Sequence, residues 1–106
     1  MTPEAKVKKK VVAVLKQHKA YYFYPVTGGY GRSGVPDVIA CYNGCFIGIE
    51  CKAGTNKPTP LQQKNLDDIQ TAGGVSLVVN EVNISIVEET LLNMEKQHNG
   101  CQEISS

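Results

Sequence analysis

The sequence predicts an α/β fold: a mixed β-sheet with α-helices on its faces. Three observations carry this. An apolar stripe at helical spacing opens the chain, and Asn43-Gly44 divides two apolar runs into a β-hairpin. A second capped helix then leads into a buried-type strand over Val75–Val79. The order is helix, strand, hairpin, helix, strand, with a last short strand expected over 82–87 and a final helix over 88–97.

Thr2-Pro3-Glu4 is a helix start, with a capping hydroxyl, a proline in the first turn and then an acid. The helix is expected to run to about His18. Val7, Val11, Val14 and Leu15 form its apolar stripe, and Lys6, Lys9, Lys10 and Lys16 lie opposite. Residues 21–24, Tyr-Tyr-Phe-Tyr, are β-prone, and Pro25 ends them. A glycine-rich loop covers 27–34. After the hairpin, Thr59-Pro60 caps a helix to about Ala72, with Leu61, Leu66 and Ile69 on its apolar side. Gly73-Gly74 stop it.

The hairpin holds the informative chemistry. With Asn43-Gly44 as the loop, Tyr42 pairs with Cys45, and counting outward pairs Asp37 with Glu50. Opposed Cβ atoms in such a pair lie roughly 5 Å apart, where like charges repel. Lys52 emerges on the same side as Glu50. Ile39, Cys41, Phe46 and Gly48 share this face, and Val38, Ala40, Tyr42, Ile47, Ile49 and Cys51 take the other. Both faces are thus expected to be covered, and a buried carboxylate is costly unless paired or metal-bound. The competing reading is a solvated acid pair, with Lys52 as a plain salt-bridge partner.

Length and composition bound the function. At 106 residues, 42% hydrophobic and 20% charged, the chain suits one globular domain, expected over 1–98 with a polar tail over 99–106. No apolar run can span a bilayer, and the N-terminus lacks a secretory pattern, so a cytoplasmic protein without a membrane role is expected. Free thiols are then expected for the four cysteines, although a Cys41–Cys45 disulfide is conceivable. A zinc site would need a second ligand pair, and His18 and His98 are isolated. A net charge of +1 leaves any nucleic-acid binding to local patches.

Asp37 and Glu50, with the backbone carbonyl of Cys51, are oxygen ligands suited to Mg2+ or Mn2+. Lys52 can orient a water or neutralise charge on a phosphorane. Glu4 projects in the Val7/Val11 sector. It either serves the helix dipole or points toward the acids.

Pro36-Asp37 followed by Glu50-Cys51-Lys52 looks like the PD-(D/E)XK nuclease signature. Thr2-Pro3-Glu4, Gly34-Val35-Pro36-Asp37, Thr59-Pro60-Leu61-Gln62 and Gly73-Gly74 surround it in order. Over residues 2 to about 80 the chain resembles the VRR-NUC family, the virus-type replication-repair nucleases, in a stand-alone phage or bacterial form. The resemblance implies a restriction-endonuclease-like fold and metal-dependent hydrolysis of DNA phosphodiesters. It implies a core of Asp37, Glu50 and Lys52, with Glu4 as the helix acid and Gln62 (or Gln63) on the metal water or phosphate. It also implies a homodimer that resolves four-way (Holliday) junctions. Flap or linear-duplex cleavage, or a non-catalytic DNA-binding module, remain alternatives. Gly31, Arg32 and Ser33 of the glycine-rich loop, with Lys57 and Lys10, are the candidate DNA contacts. A mere turn and a solvated lysine face are the competing readings.

Overall fold

The computed structural model describes residues 1–26 and 31–97. The loop residues 27–30, His98, Cys101 and the expected tail 99–106 lie outside the described residues. Three helices flank a four-stranded sheet: α1 (Pro3–Gln17), β1 (Tyr21–Phe23), β2 (Val38–Tyr42), β3 (Cys45–Cys51), α2 (Pro60–Thr71), β4 (Val75–Val79) and α3 (Ser85–Lys96). The sheet order is β1-β2-β3-β4. The first three strands are antiparallel, and β4 runs parallel to β3 after the α2 crossover. This mixed architecture is consistent with a restriction-endonuclease-like fold.

Local chemistry explains the elements. Thr2 Oγ1 accepts a hydrogen bond from the Ala5 amide and caps α1. Asn43 and Gly44 have φ of 54° and 81°, the left-handed pair that a two-residue hairpin turn requires. The turn sets the expected register, from Tyr42↔Cys45 outward to Val38↔Ile49. At Thr59 a capping box closes, with Gln62 donating its amide to Thr59 Oγ1 and accepting the Thr59 amide on Oε1.

One face of the sheet is sealed. Val38, Ala40, Ile47 and Ile49 pack with Val7, Val11, Leu15, Val87 and Leu91 of α1 and α3 in one core cluster. Each Val, Ile or Leu of this cluster contributes about 1.5–3 kcal/mol through burial. Val12 joins this core, while Val14 is only partly buried. The opposite face, under α2, is less covered than the alternation suggested: Phe46 is 46% exposed and Cys41 is exposed. Close approach of α2 is possible because Gly48 has no Cβ. One placed there would lie 2.5 Å from Ile69 Cδ1 and 3.0 Å from Pro36 Cγ.

Four expectations need correction. There is no strand over 82–87. Asn80 Oδ1 accepts the amides of Val82 and Asn83, and Asn83 Nδ2 donates to the Val78 carbonyl. These side chains take the backbone groups a strand would have paired. The last helix therefore begins at Ser85, earlier than expected, and ends at Lys96. Leu61 is 49% exposed, and Asn65 is buried in its stead, donating to the carbonyls of Leu61 and Ser33. Of the cysteines, Cys41 and Cys51 are free, but Cys45 is disulfide-bonded, and not to Cys41.

Candidate functional site

The hairpin brings Asp37, Glu50 and Lys52 together at its open end, but not by the expected ladder pairing. Strand β2 begins at Val38, and Asp37 sits in the bend before it. Freed from the ladder, its carboxylate takes the place of the missing strand residue: the Cys51 amide donates to Asp37 Oδ2 at 2.9 Å. A strand residue's N–H and C=O point to the same edge, so the Cys51 carbonyl also lies on the Asp37 side.

Glu50 is 2% exposed at the middle of the sheet, between β2 and β4. Its Oε2 lies 3.7 Å from Lys52 Nζ, and its Oε1 is buried with no donor among the described residues. Burial, and then the nearby Asp37 charge, raise the Glu50 pKa to about 7, against the opposing pull of Lys52. Lys52 is itself largely buried, and its amide donates to the Val79 carbonyl, which anchors it to β4. A buried carboxylate oxygen without a donor is costly, and with one cation between two acids the surplus charge is met either by a proton on Glu50 or by a second cation.

Glu4 is exposed, yet its side chain lines a cavity of about 210 Å³ with Asp37, Cys51, Thr2 and Lys8. The first turn of α1 therefore reaches the acid end of the hairpin. Thr2 and Lys8 are members of this group that reading the sequence missed. The signal for Lys8 was its i,i+4 spacing from Glu4, which puts both on one helix face. Burial, then the Asp37 and Glu50 charges, push the Cys51 thiol up to about 12, so it stays protonated beside the acids.

The other candidates lie apart from this group. Gln62 holds its amide oxygen in the α2 capping box. Gln63 bonds Asp67 within the same helix. Arg32 pairs with Asp68, which also binds Lys64 at 3.0 Å, and these two cations, Lys64 foremost, hold the Asp68 carboxyl below its ordinary value. Ser33 offers its carbonyl to Asn65 at 3.0 Å, which pins the loop onto α2. Gly34 has φ +75°, and a Cβ there would lie 2.7 Å from Leu61 Cγ, so the loop takes glycine at this contact. Gly31, Lys10 and Lys57 are exposed. Among the described residues, no group of three or more His, Cys, Asp or Glu side chains is arranged to hold a metal ion. No described helix is long and apolar enough to cross a membrane.

No protein-family model matches the chain. The chain is 38% identical over 58 residues to "Putative nuclease p44" of Acyrthosiphon pisum secondary endosymbiont phage 1. The match takes in 54% of this chain and 62% of that protein, so the chain spans less than two thirds of the curated relative's length. The similarity is thus to a phage protein named as a nuclease, over about half of this chain.

Proposed function

We propose that the chain is a metal-dependent, structure-selective DNA endonuclease of the VRR-NUC type, acting as a homodimer on four-way junctions. The observation that carries the reading is the buried Glu50 Oε1 without a donor, beside Asp37 and Lys52. Such a group calls for a cation, and the phage relative named as a nuclease supports the class.

The donors fit Mg2+ or Mn2+, hard ions that take one or two protein carboxylates and leave further positions to water and phosphate. Asp37, Glu50 and the Cys51 carbonyl would hold the ion. When bound, it supplies a Lewis acid for the phosphoryl oxygen and lowers the pKa of the attacking water. Asp37 is aimed by the Cys51 amide, and Glu50 is fixed by the sheet on both sides. Lys52, steadied by Glu50, orients the water and offsets charge that builds on the phosphorane. Glu4, from α1, lines the cavity that Asp37 and Cys51 face, and can accept a proton from water there; Glu50 and Lys52 do not line that cavity. Gln62 retains its amide nitrogen as a phosphate donor. Gly31, Arg32, Ser33, Lys57 and Lys10 are the proposed backbone contacts.

A two-fold dimer suits a junction with two equivalent scissile strands. The edge strand β1 supports this, since it exposes Tyr21 (70%) and Phe23 (45%). Light scattering that gives a monomer mass at micromolar concentration would remove the dimer.

The test is cleavage of a labelled four-way junction beside a linear duplex of matching sequence, with Mg2+, Mn2+ or EDTA. Metal-dependent cutting of the junction that disappears in Lys52→Ala is the expected result. Equal cutting of duplex and junction would remove the junction assignment. A folded protein that binds the junction and cuts nothing would overturn the enzyme.

A further inference from the structure

A second cavity, of about 520 Å³, runs along the outer side of α1 and shares Ala5 and Lys8 with the candidate site. Lys8, Lys9 and Lys16 line it, Ala5 and Val12 are among its apolar walls, and Tyr24 closes one side. Among the described residues no carboxylate lines it, and none of the three lysines forms a salt bridge. Lys8 Nζ lies 4.2 Å from the Tyr24 ring centroid, so this cation rests on an aromatic face.

The charge of the molecule is concentrated here. Helix α1 carries five lysines against one glutamate, whereas the rest of the chain carries six basic residues against nine acidic ones. The total of +1 therefore conceals a basic helix on an acidic body. A positive groove with an apolar lining and an aromatic wall is the recurring form of a single-strand nucleic-acid channel. Lys9 and Lys16 stand seven residues apart, about 10 Å along the helix axis. That is roughly three nucleotides at duplex spacing.

We propose that this groove binds a single-stranded segment of the DNA substrate. The strand continues from the cavity beside Asp37 past Lys8, its phosphates lie against Lys9 and Lys16, and one unstacked base takes the Tyr24 ring face from Lys8, whose ammonium turns to a phosphate. This deepens the nuclease reading and rests on it for the strand's entry point. A branched substrate supplies such a segment where its duplex opens.

The test is fluorescence anisotropy of a labelled short thymidine oligonucleotide in EDTA, which uncouples binding from cleavage. Lys9→Glu/Lys16→Glu should weaken binding at least about tenfold and reduce the slope of log affinity against log salt by about 1.4. Tyr24→Ala should weaken binding roughly tenfold with the slope unchanged, and Tyr24→Phe should restore it. Lys64→Glu, outside the groove, should leave binding near wild type. Lys9 and Lys16 are exposed, so the charge reversals spare the core. Wild-type protein that does not bind the oligonucleotide, or groove variants that bind it normally, would overturn the proposal. So would duplex binding of equal strength that Tyr24→Ala leaves untouched. Normal groove binding with no junction cleavage in any metal would instead sink the nuclease and leave the groove.

Discussion

The two ends of the β2–β3 hairpin both carry polar clusters, and they differ in one respect. At the turn end, His18 contacts Glu88 at 3.0 Å and Glu95 at 3.6 Å, Tyr42 donates to Glu95, and Asn43 donates to the Met94 carbonyl at 2.7 Å. These groups tie the ends of α1 and α3 to the hairpin tip, and both glutamates remain about half exposed. At the open end, Glu50 is buried, one oxygen lacks a donor among the described residues, and a second acid stands beside it. A cluster that satisfies itself is architecture. A cluster that is short of a cation must hold a proton or take up an ion. Because α1 runs the length of the hairpin, its first turn lines the acid cavity and its C-cap residue, His18, meets Tyr42 at the tip.

The largest contrast should be in catalysis. Asp37→Asn or Lys52→Ala should lower junction cleavage by about 10²–10³-fold. His18→Ala, at the other end, should leave it unchanged, as timed gel assays would show. Comparable losses at both ends would erase the distinction.

Stability should move in the opposite sense. The folded-state pKa of Glu50 is raised from 4.5 to about 7, so the folded protein holds this proton more tightly than the unfolded chain. The resulting stability is fully present below pH 4.5 and is lost as pH rises toward 7, a fall of about 3 kcal/mol from this group. Urea denaturation in EDTA should show that fall in wild type and a flatter profile in Glu50→Gln. Mg2+ at a hundredfold excess over its Kd should restore about 2.7 kcal/mol to wild type alone. A metal response in Glu50→Gln equal to wild type would place the ion elsewhere.

Smaller effects belong to the turn end. His18→Ala should cost about 1 kcal/mol at neutral pH by the same denaturation assay. Tyr42→Phe should cost about 0.5 kcal/mol. Its phenol is raised above the ordinary tyrosine value, first by the hydrogen bond to Glu95, then by burial and the Glu95 charge. The stabilisation from that bond is present below the ordinary tyrosine pKa and disappears as pH climbs past the raised one. Ultraviolet titration of Glu95→Gln should bring Tyr42 back down, and no change would detach the phenol from Glu95.

Much of this was legible in the residues. Asn43-Gly44 and the flanking alternation specify the hairpin register, and Thr59-Pro60-Leu61-Gln62 specifies a capped helix start. The convergence of Asp37, Glu50 and Lys52 follows from that register. Its geometry does not, because counting ladder positions assumes that the strand continues through Asp37, and the chain bends there instead. The start of α3 was hidden because Ile84, Ile86 and Val87 read as β-prone, while the Asn80–Asn83 contacts that exclude a strand leave no periodic trace. Lys8 was obscured by its neighbours Lys9 and Lys10, although one residue of rotation separates a solvated lysine from one facing an acid cavity.

The bond from the Cys51 amide to Asp37 Oδ2 makes one main-chain proton a witness to the acid's position. Protection of that proton from exchange with solvent deuterium depends on Asp37 staying seated. A mass-spectrometric or NMR time course at this amide would therefore follow the readiness of the site directly. It needs no substrate, and it would record when an ion or a phosphate draws the carboxylate away.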